Sequence, residues 1–169
     1  KKTVTVTYGV AYPNLKSDNV PTYIGYEFTG WFTEKDGGTE VTNSTKVTET
    51  GNHILYAHWK PRTYDVTLNY NVPTLDPEYN PVVKKLSGID IDAKLQGLPS
   101  KSQVPGYEYK DTKFTFYNWY TKDGAMVNSQ TPLTPDMLND KKDGVNLNAR
   151  WEYGIKFYYN TGTSSSASR

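Results

Sequence analysis

A chain of 169 residues with 19 Lys plus Arg against 18 Asp plus Glu lacks the broad basic field that nonspecific nucleic-acid binding requires, and no nucleic-acid partner is expected. It has no cysteine, which excludes disulfides and cysteine-ligated metal centres, and no run of about 18 apolar residues that would span a bilayer. The start, Lys1-Lys2-Thr3-Val4, lacks the apolar core of a signal peptide, so a secreted parent would make this an internal segment.

Taken in order, Thr3 to Tyr8 alternates Val4 and Val6 with threonine, the two-residue period of a half-buried strand. Gly9 to Tyr23 loses that period at Pro13, Asn14, Asp18, Asn19 and Pro21, which predicts a loop with room for one short helical turn, anchored by Leu15 and Val20. In the next strand Tyr26, Phe28 and Gly30 fall on one face and Glu27, Thr29 and Trp31 on the other. Trp31 is therefore expected to cover a second, smaller cluster or a neighbour. Asp36-Gly37-Gly38 supplies positive-φ positions for a hairpin turn, and Thr39 to Thr42 resumes an extended run. Asn43 to Asn52 is polar and reads as loop. Ile54 to Trp59 alternates again, and Lys60-Pro61 closes a unit.

Pro61-Arg62-Thr63 is too short a boundary for free tumbling, which predicts a semi-rigid rod. Tyr64 to Asn71 opens a second unit as a strand, Asn71 to Asn80 reads as loop, and Ile89, Ile91 and Ala93 alternate against Asp90 and Asp92 in a further strand. Phe114 to Thr121, Lys122-Asp123-Gly124 and Val145 to Trp151 then return to the plan of Gly25 to Trp59, with all four tryptophans in paired places. Tyr107 to Lys113 lengthens this second unit. Thr134 as N-cap, Pro135 at the first helical position and Asp136 predict a short helix ending by Asp140. Tyr153 to Asn160 echoes Tyr64 to Asn71, whereas the first unit lacks such an opening strand, so the chain reads as out of phase with its repeat. The tail from Thr161 to Arg169 is polar and low in complexity. The expected organisation is a first unit over residues 1–60, a longer second over 61–152, and over 153–169 the opening strand of a third with a flexible tail.

Tyr8-Gly9, the run Gly25 to Thr33, Gly37-Gly38-Thr39 and Leu55-Tyr56-Ala57-His58-Trp59 resemble the Listeria-Bacteroides repeat family, the internalin-type B repeats of bacterial surface proteins. The resemblance covers about residues 3 to 60. The second unit departs from it, with Asn118 in place of the glycine before Trp119 and Arg150 in the place of His58. The resemblance implies an α+β, predominantly β chain of tandem small β-grasp (ubiquitin-like) units. It also implies an extracellular location on a bacterial cell surface or cell wall, and no enzymatic activity of the repeat itself.

The expected framework of these units is Gly25, Tyr26, Phe28, Gly30, Trp31, Gly37, Gly38, Leu55, Ala57 and Trp59, continued by Trp119, Leu147, Ala149 and Trp151. Large aromatic side chains suit it, because a unit of about 60 residues buries only about 60% of its unfolded surface and needs a dense core. Tyr117, Tyr120, Tyr158 and Tyr159 have two readings: packing, or a face on which a sugar or a protein stacks. His53 and His58 lack the three or four converging ligands of a zinc site, and Asp90 and Asp92 lack the oxygen spacing of a calcium loop. No Gly-x-Ser-x-Gly elbow and no phosphate-binding glycine loop occurs. No catalytic, metal or cofactor residue is assigned, and the chain is expected not to be an enzyme. The expected role is a spacer or stalk whose partners are neighbouring repeats and domains of its parent, with strand exchange between molecules as a further mode of association. The alternative is an adhesion module that binds a host glycan or protein through a sheet edge or a tyrosine-rich face.

Overall fold

The computed structural model describes residues 2–18, 20–73, 84–139 and 144–157. Two sheets carry the fold, and among the described residues helix appears as α1 (Leu15–Asp18) and as a 3-10 turn at Pro135–Met137. The chain is thus predominantly β, and no helix among the described residues is long and apolar enough to cross a membrane. The first sheet orders β1 (Tyr26–Phe32) between β2 (Glu40–Val41) and β3 (Tyr56–Pro61), all antiparallel. The second contains β4 (Thr63–Asn69), β5 (Lys84–Asp90), β6 (Tyr107–Tyr109), β7 (Thr112–Tyr120), β8 (Met126–Val127) and β9 (Val145–Tyr153). Its order is β5-β4-β9-β7-β6, with β8 also on β7. β4 and β9 are parallel neighbours at its centre, and the other pairs are antiparallel.

The alternation of β4 and β9 explains their central position. Val66 and Leu68 of β4 lie on the same face as Val145, Leu147 and Ala149 of β9 and are buried with them. Each such aliphatic side chain contributes about 1.5–3 kcal/mol on burial. Leu95, Leu98 and Val104, from the segment that follows β5, cover this face, and Trp119 is 1% exposed within it. Indole Nε1 of Trp119 donates to the Pro99 carbonyl at 2.8 Å, so the most buried aromatic leaves no donor unpaired. At the far end, Lys110 and Asp111 have φ of 47° and 61°, the left-handed pair that a tight β6–β7 hairpin requires.

Both sheets use one register. Phe28 pairs with Trp59, Gly30 with His58, Trp31 with Ala57 and Val41; likewise Phe116 pairs with Trp151, Asn118 with Arg150, Trp119 with Ala149 and Val127. β1 and β7 each shift register against the closing strand at the equivalent place, Thr29 in β1 and Tyr117 in β7. That bulge corrects the face assignment: Trp31 does not face away from Phe28. Their rings lie 5.5 Å apart, and Trp31 packs on the core formed by Tyr12, Leu15, Val41 and Val47. An extra residue in a strand reverses the side to which later side chains point, and simple alternation cannot register it.

The correspondence extends into the loops. Gly9 N donates to Val47 O, Val47 N to Val10 O and Tyr12 N to Thr45 O; in the same way Asp92 N donates to Leu133 O, Leu133 N to Ala93 O and Leu95 N to Thr131 O. Residues 7–12 thus stand where residues 90–95 stand in the second sheet.

Four further expectations are corrected. Thr3 to Tyr8 forms no strand, because its counterpart β5 pairs with β4, and the first sheet has no strand in the place of β4. Val20 is exposed, so of the two predicted anchors only Leu15 is buried. The second-unit strand runs from Lys84 to Asp90, earlier than the alternation of Ile89, Ile91 and Ala93 suggested, and the chain turns at Ile91. Thr134 precedes a 3-10 turn without a side-chain cap hydrogen bond. The tail, the end of the Asn71 to Asn80 loop, and Tyr158, Tyr159 and Asn160 lie outside the described residues.

Candidate functional site

The candidate site is the junction between the two sheets. β3 passes into β4 through a single residue, Arg62. Its backbone is held on both sides: Arg62 N donates to Gly25 O at 2.9 Å, and Ile91 N donates to Arg62 O at 2.9 Å. The connection therefore extends the ladders of both sheets.

Gly25 has a φ of 86° and lies against Ile91, where an added Cβ would come within 2.7 Å of Ile91 Cγ1. A glycine is required here for two separate reasons, backbone conformation and close approach. Ile91 is buried and belongs to the core of the second sheet, so a core side chain of one unit is capped by the backbone of the other. Tyr26, next in sequence, packs against the same core and donates its hydroxyl to Asp92 Oδ2. That bond holds the proton on the phenol: the Tyr26 pKa is pushed up from 10.0 to about 12, first by the hydrogen bond to Asp92, then by burial and by the Asp92 charge. Asp92 itself adopts a φ of 65°. The corresponding residue of the first unit is Gly9, with a φ of 75°. The second unit thus places an aspartate in a conformation that glycine adopts without strain, and its carboxylate reaches Tyr26.

An aromatic ladder connects this junction to the first sheet. Tyr23 stacks on Tyr26 with ring centroids 4.4 Å apart, meets Trp59 edge-on at 5.6 Å, and Trp59 meets Phe28 at 5.5 Å. Sequence reasoning identified Gly25, Tyr26, Phe28 and Trp59 as framework, and the structure brings them together at and behind the junction. It missed Ile91 and Asp92 as their partners. The available signal was the match of Tyr8-Gly9 with Ile91-Asp92, which becomes visible only when residues 7–12 are set beside 90–95.

Gly30 is buried in β1, and Gly37 and Gly38, with φ of 73° and 76°, form the turn before β2. Leu55 and Ala57 are half-buried, whereas their counterparts Leu147 and Ala149 are buried. The indole Nε1 of Trp151 donates to Tyr70 O at 2.7 Å, tying β9 to the end of β4.

The tyrosines proposed to face a ligand differ among themselves. Tyr117, at the bulge of β7, is 49% exposed, with Lys101 Nζ 5.9 Å from its ring centroid. Tyr120 is buried, and the Arg150 guanidinium lies 3.9 Å over its ring, so one face of that ring is already occupied. Tyr158 and Tyr159 lie outside the described residues.

Both histidines are engaged with the first sheet and its loops. His53 Nδ1 bonds Gly51 O at 3.1 Å; a carbonyl only accepts, so neutral His53 keeps its proton there and Nε2 accepts from Tyr12 Oη at 2.6 Å. His58 Nε2 donates to Glu34 O at 3.0 Å, and its ring stacks on Phe32 at 3.9 Å. Among the described residues no group of three metal-binding side chains converges.

Shared registers and a one-residue joint define a β-rich repeat module. Residues 1–58 match the model of the Listeria-Bacteroides repeat domain family, so the resemblance of the first unit is shown over that segment. Repeats of this family are typically found in bacterial surface proteins. No curated protein and no solved structure matches the chain.

Proposed function

We propose that this chain is a non-catalytic extracellular spacer of a bacterial surface protein, built of β-grasp-like units held in fixed succession. The junction carries the reading. A single residue separates β3 from β4, its N–H and C=O are both bonded, and Ile91 of the second core is seated on Gly25 of the first sheet. A joint of this kind resists bending because motion would break two backbone bonds and expose a buried isoleucine, at a cost of about 3–6 kcal/mol. The β-grasp reading is supported by the second sheet, in which the first and last strands of the unit lie parallel at the centre. The family match of residues 1–58 supports the surface location. The test is a surface display in which the chain separates an anchor from an epitope. It is expected to hold the epitope farther from the wall than a Gly/Ser linker of equal length, and equal reach would contradict the reading.

An adhesion role has one observation in its favour, the exposed Tyr117 ring beside Lys101. Such a pair suits stacking on a sugar face. A glycan array followed by surface plasmon resonance tests it: saturable binding lost in Tyr117→Ala supports adhesion, and the absence of saturable binding opposes it.

A further inference from the structure

The two units carry different chemistry at the same positions of one sheet face. Arg150 lies between Ala149 and Trp151, whose side chains belong to the second core, so it projects from the opposite face of the sheet. It occupies the register position of His58, opposite Asn118 as His58 is opposite Gly30. Each stacks on the aromatic ring two residues beyond its partner: His58 on Phe32 at 3.9 Å, and the Arg150 guanidinium over Tyr120 at 3.9 Å. In the first unit the groups on this face satisfy one another. His58 Nε2 donates to Glu34 O at 3.0 Å, and the Glu40 carboxylate lies over Gly30, where an added Cβ would meet Glu40 Oε1 at 2.8 Å. Lys16 Nζ pairs with that carboxylate at 2.8 Å.

The second unit lacks this internal balance. Met126 stands in the place of Glu40, opposite Tyr120 as Glu40 is opposite Phe32. Beyond its stacking, Arg150 has no hydrogen bond or ion pair among the described residues. Asn118 Oδ1 accepts from Trp119 N at 2.8 Å, and Asn148 Oδ1 accepts from Asn71 Nδ2 at 3.0 Å. The Nδ2 hydrogens of Asn118 and Asn148 have no partner among the described residues, so a guanidinium and two amides present donors without matching acceptors. Stacking on a buried ring already fixes the guanidinium, so little freedom is lost when it is bound. Beside it Tyr117, turned outward at the bulge of β7, is 49% exposed, and its ring lies 6.5 Å from that of Tyr120 at an angle of 23°. Lys101, next to Tyr117, is paired with Glu152, which leaves Arg150 as the cation of this group without a carboxylate.

We propose, resting on the adhesion reading above, that Tyr117, Asn118, Asn148 and Arg150 bind a carboxylated sugar, uronate or sialate in type. The carboxylate sits on the Arg150 fork and the two asparagine amides, and the apolar face of the sugar ring lies on Tyr117. Charge complementarity selects the ligand. A single unpaired cation calls for a monoanion, and the planar guanidinium matches a planar carboxylate through two parallel hydrogen bonds. The flat, exposed ring of Tyr117 offers the surface on which the C–H face of a sugar stacks. The first unit shows that the fold accommodates a carboxylate on this face, since Glu40 places its own over Gly30. In the second unit the ligand supplies the carboxylate that Met126 does not.

The test presents the full chain to an array of uronate- and sialate-terminated oligosaccharides, their methyl esters, their neutral counterparts and sulfated sugars, with surface plasmon resonance on those retained. Saturable binding of the acids is expected, with the methyl esters weaker by about tenfold or more, the fold-change of one charge-assisted hydrogen bond. Arg150→Gln is expected to bring acids and esters to equal affinity. Asn118→Asp keeps an oxygen for Trp119 N but sets a negative charge beside the ligand, and is expected to abolish binding of the acids. Circular dichroism confirms that both variants are folded. Equal binding of acids and methyl esters, a preference for sulfated sugars, or an acid preference untouched by Arg150→Gln would overturn the proposal. Saturable binding of neutral sugars, lost in Tyr117→Ala and without preference for acids, would overturn the carboxylate site and leave adhesion standing. No saturable binding of any glycan would overturn both.

Discussion

Asp92 and Gly25 are the residues on which the joint depends, and they make opposite predictions. Asp92 adopts a left-handed conformation that costs a non-glycine residue about 1 kcal/mol, and its carboxylate accepts from Tyr26. Asp92→Gly is therefore expected to leave the second unit within about 1 kcal/mol of its present stability or slightly above it, while speeding amide exchange at Arg62 and Ile91. Slower exchange at those two amides would contradict the assignment. Gly25→Ala combines a φ of 86° with a contact of 2.7 Å to Ile91 and is expected to destabilise the junction by about 1–3 kcal/mol, measured by the same exchange. Tyr26 adds a pH dependence. Its pKa is raised from 10.0 to about 12, so its contribution is fully present below pH 10 and is lost as pH rises through 12. Junction amides should lose protection across that window, and in Tyr26→Phe the step should be absent.

The strands show why equal sequence motifs end in unequal environments. Trp31 and Trp119 occupy the same register position, yet Trp119 is sealed beneath Leu95, Leu98 and β4, whereas Trp31 is half-exposed where the first sheet lacks its opening strand. Trp119→Ala is accordingly expected to cost about 3–5 kcal/mol and Trp31→Ala about 2 kcal/mol or less, read from exchange protection in each sheet separately. Equal losses would mean that the first core is as complete as the second. Much of this was legible from the chain alone. The tryptophan pairs, the Gly37-Gly38 turn and the alternation of β3 and β9 follow from period-two patterning and turn chemistry. The bulges at Thr29 and Tyr117 were not, because no local residue marks them and each reverses the faces that alternation assigns. Thr3 to Tyr8 was misread for a related reason: strand period describes what a segment can pair with, and here the partner is absent. Ile91 and Asp92 read as strand residues in the sequence because their alternation continues past the point where the chain turns.

At the scale of the molecule, the proposed spacer is one stiff body of two sheets joined at Arg62. Its function as a spacer depends on that stiffness. Asp36 and Asp123 mark equivalent hairpin tips on the two sheets and are exposed, so nitroxide labels introduced as Asp36→Cys and Asp123→Cys in the cysteine-free chain report the relative position of the units. Double electron–electron resonance on dilute protein, below any self-association, should give a single narrow distance distribution that broadens on Gly25→Ala and above pH 12. A broad distribution in the unaltered chain, or one indifferent to Gly25→Ala, would show that the units move independently and would contradict the spacer.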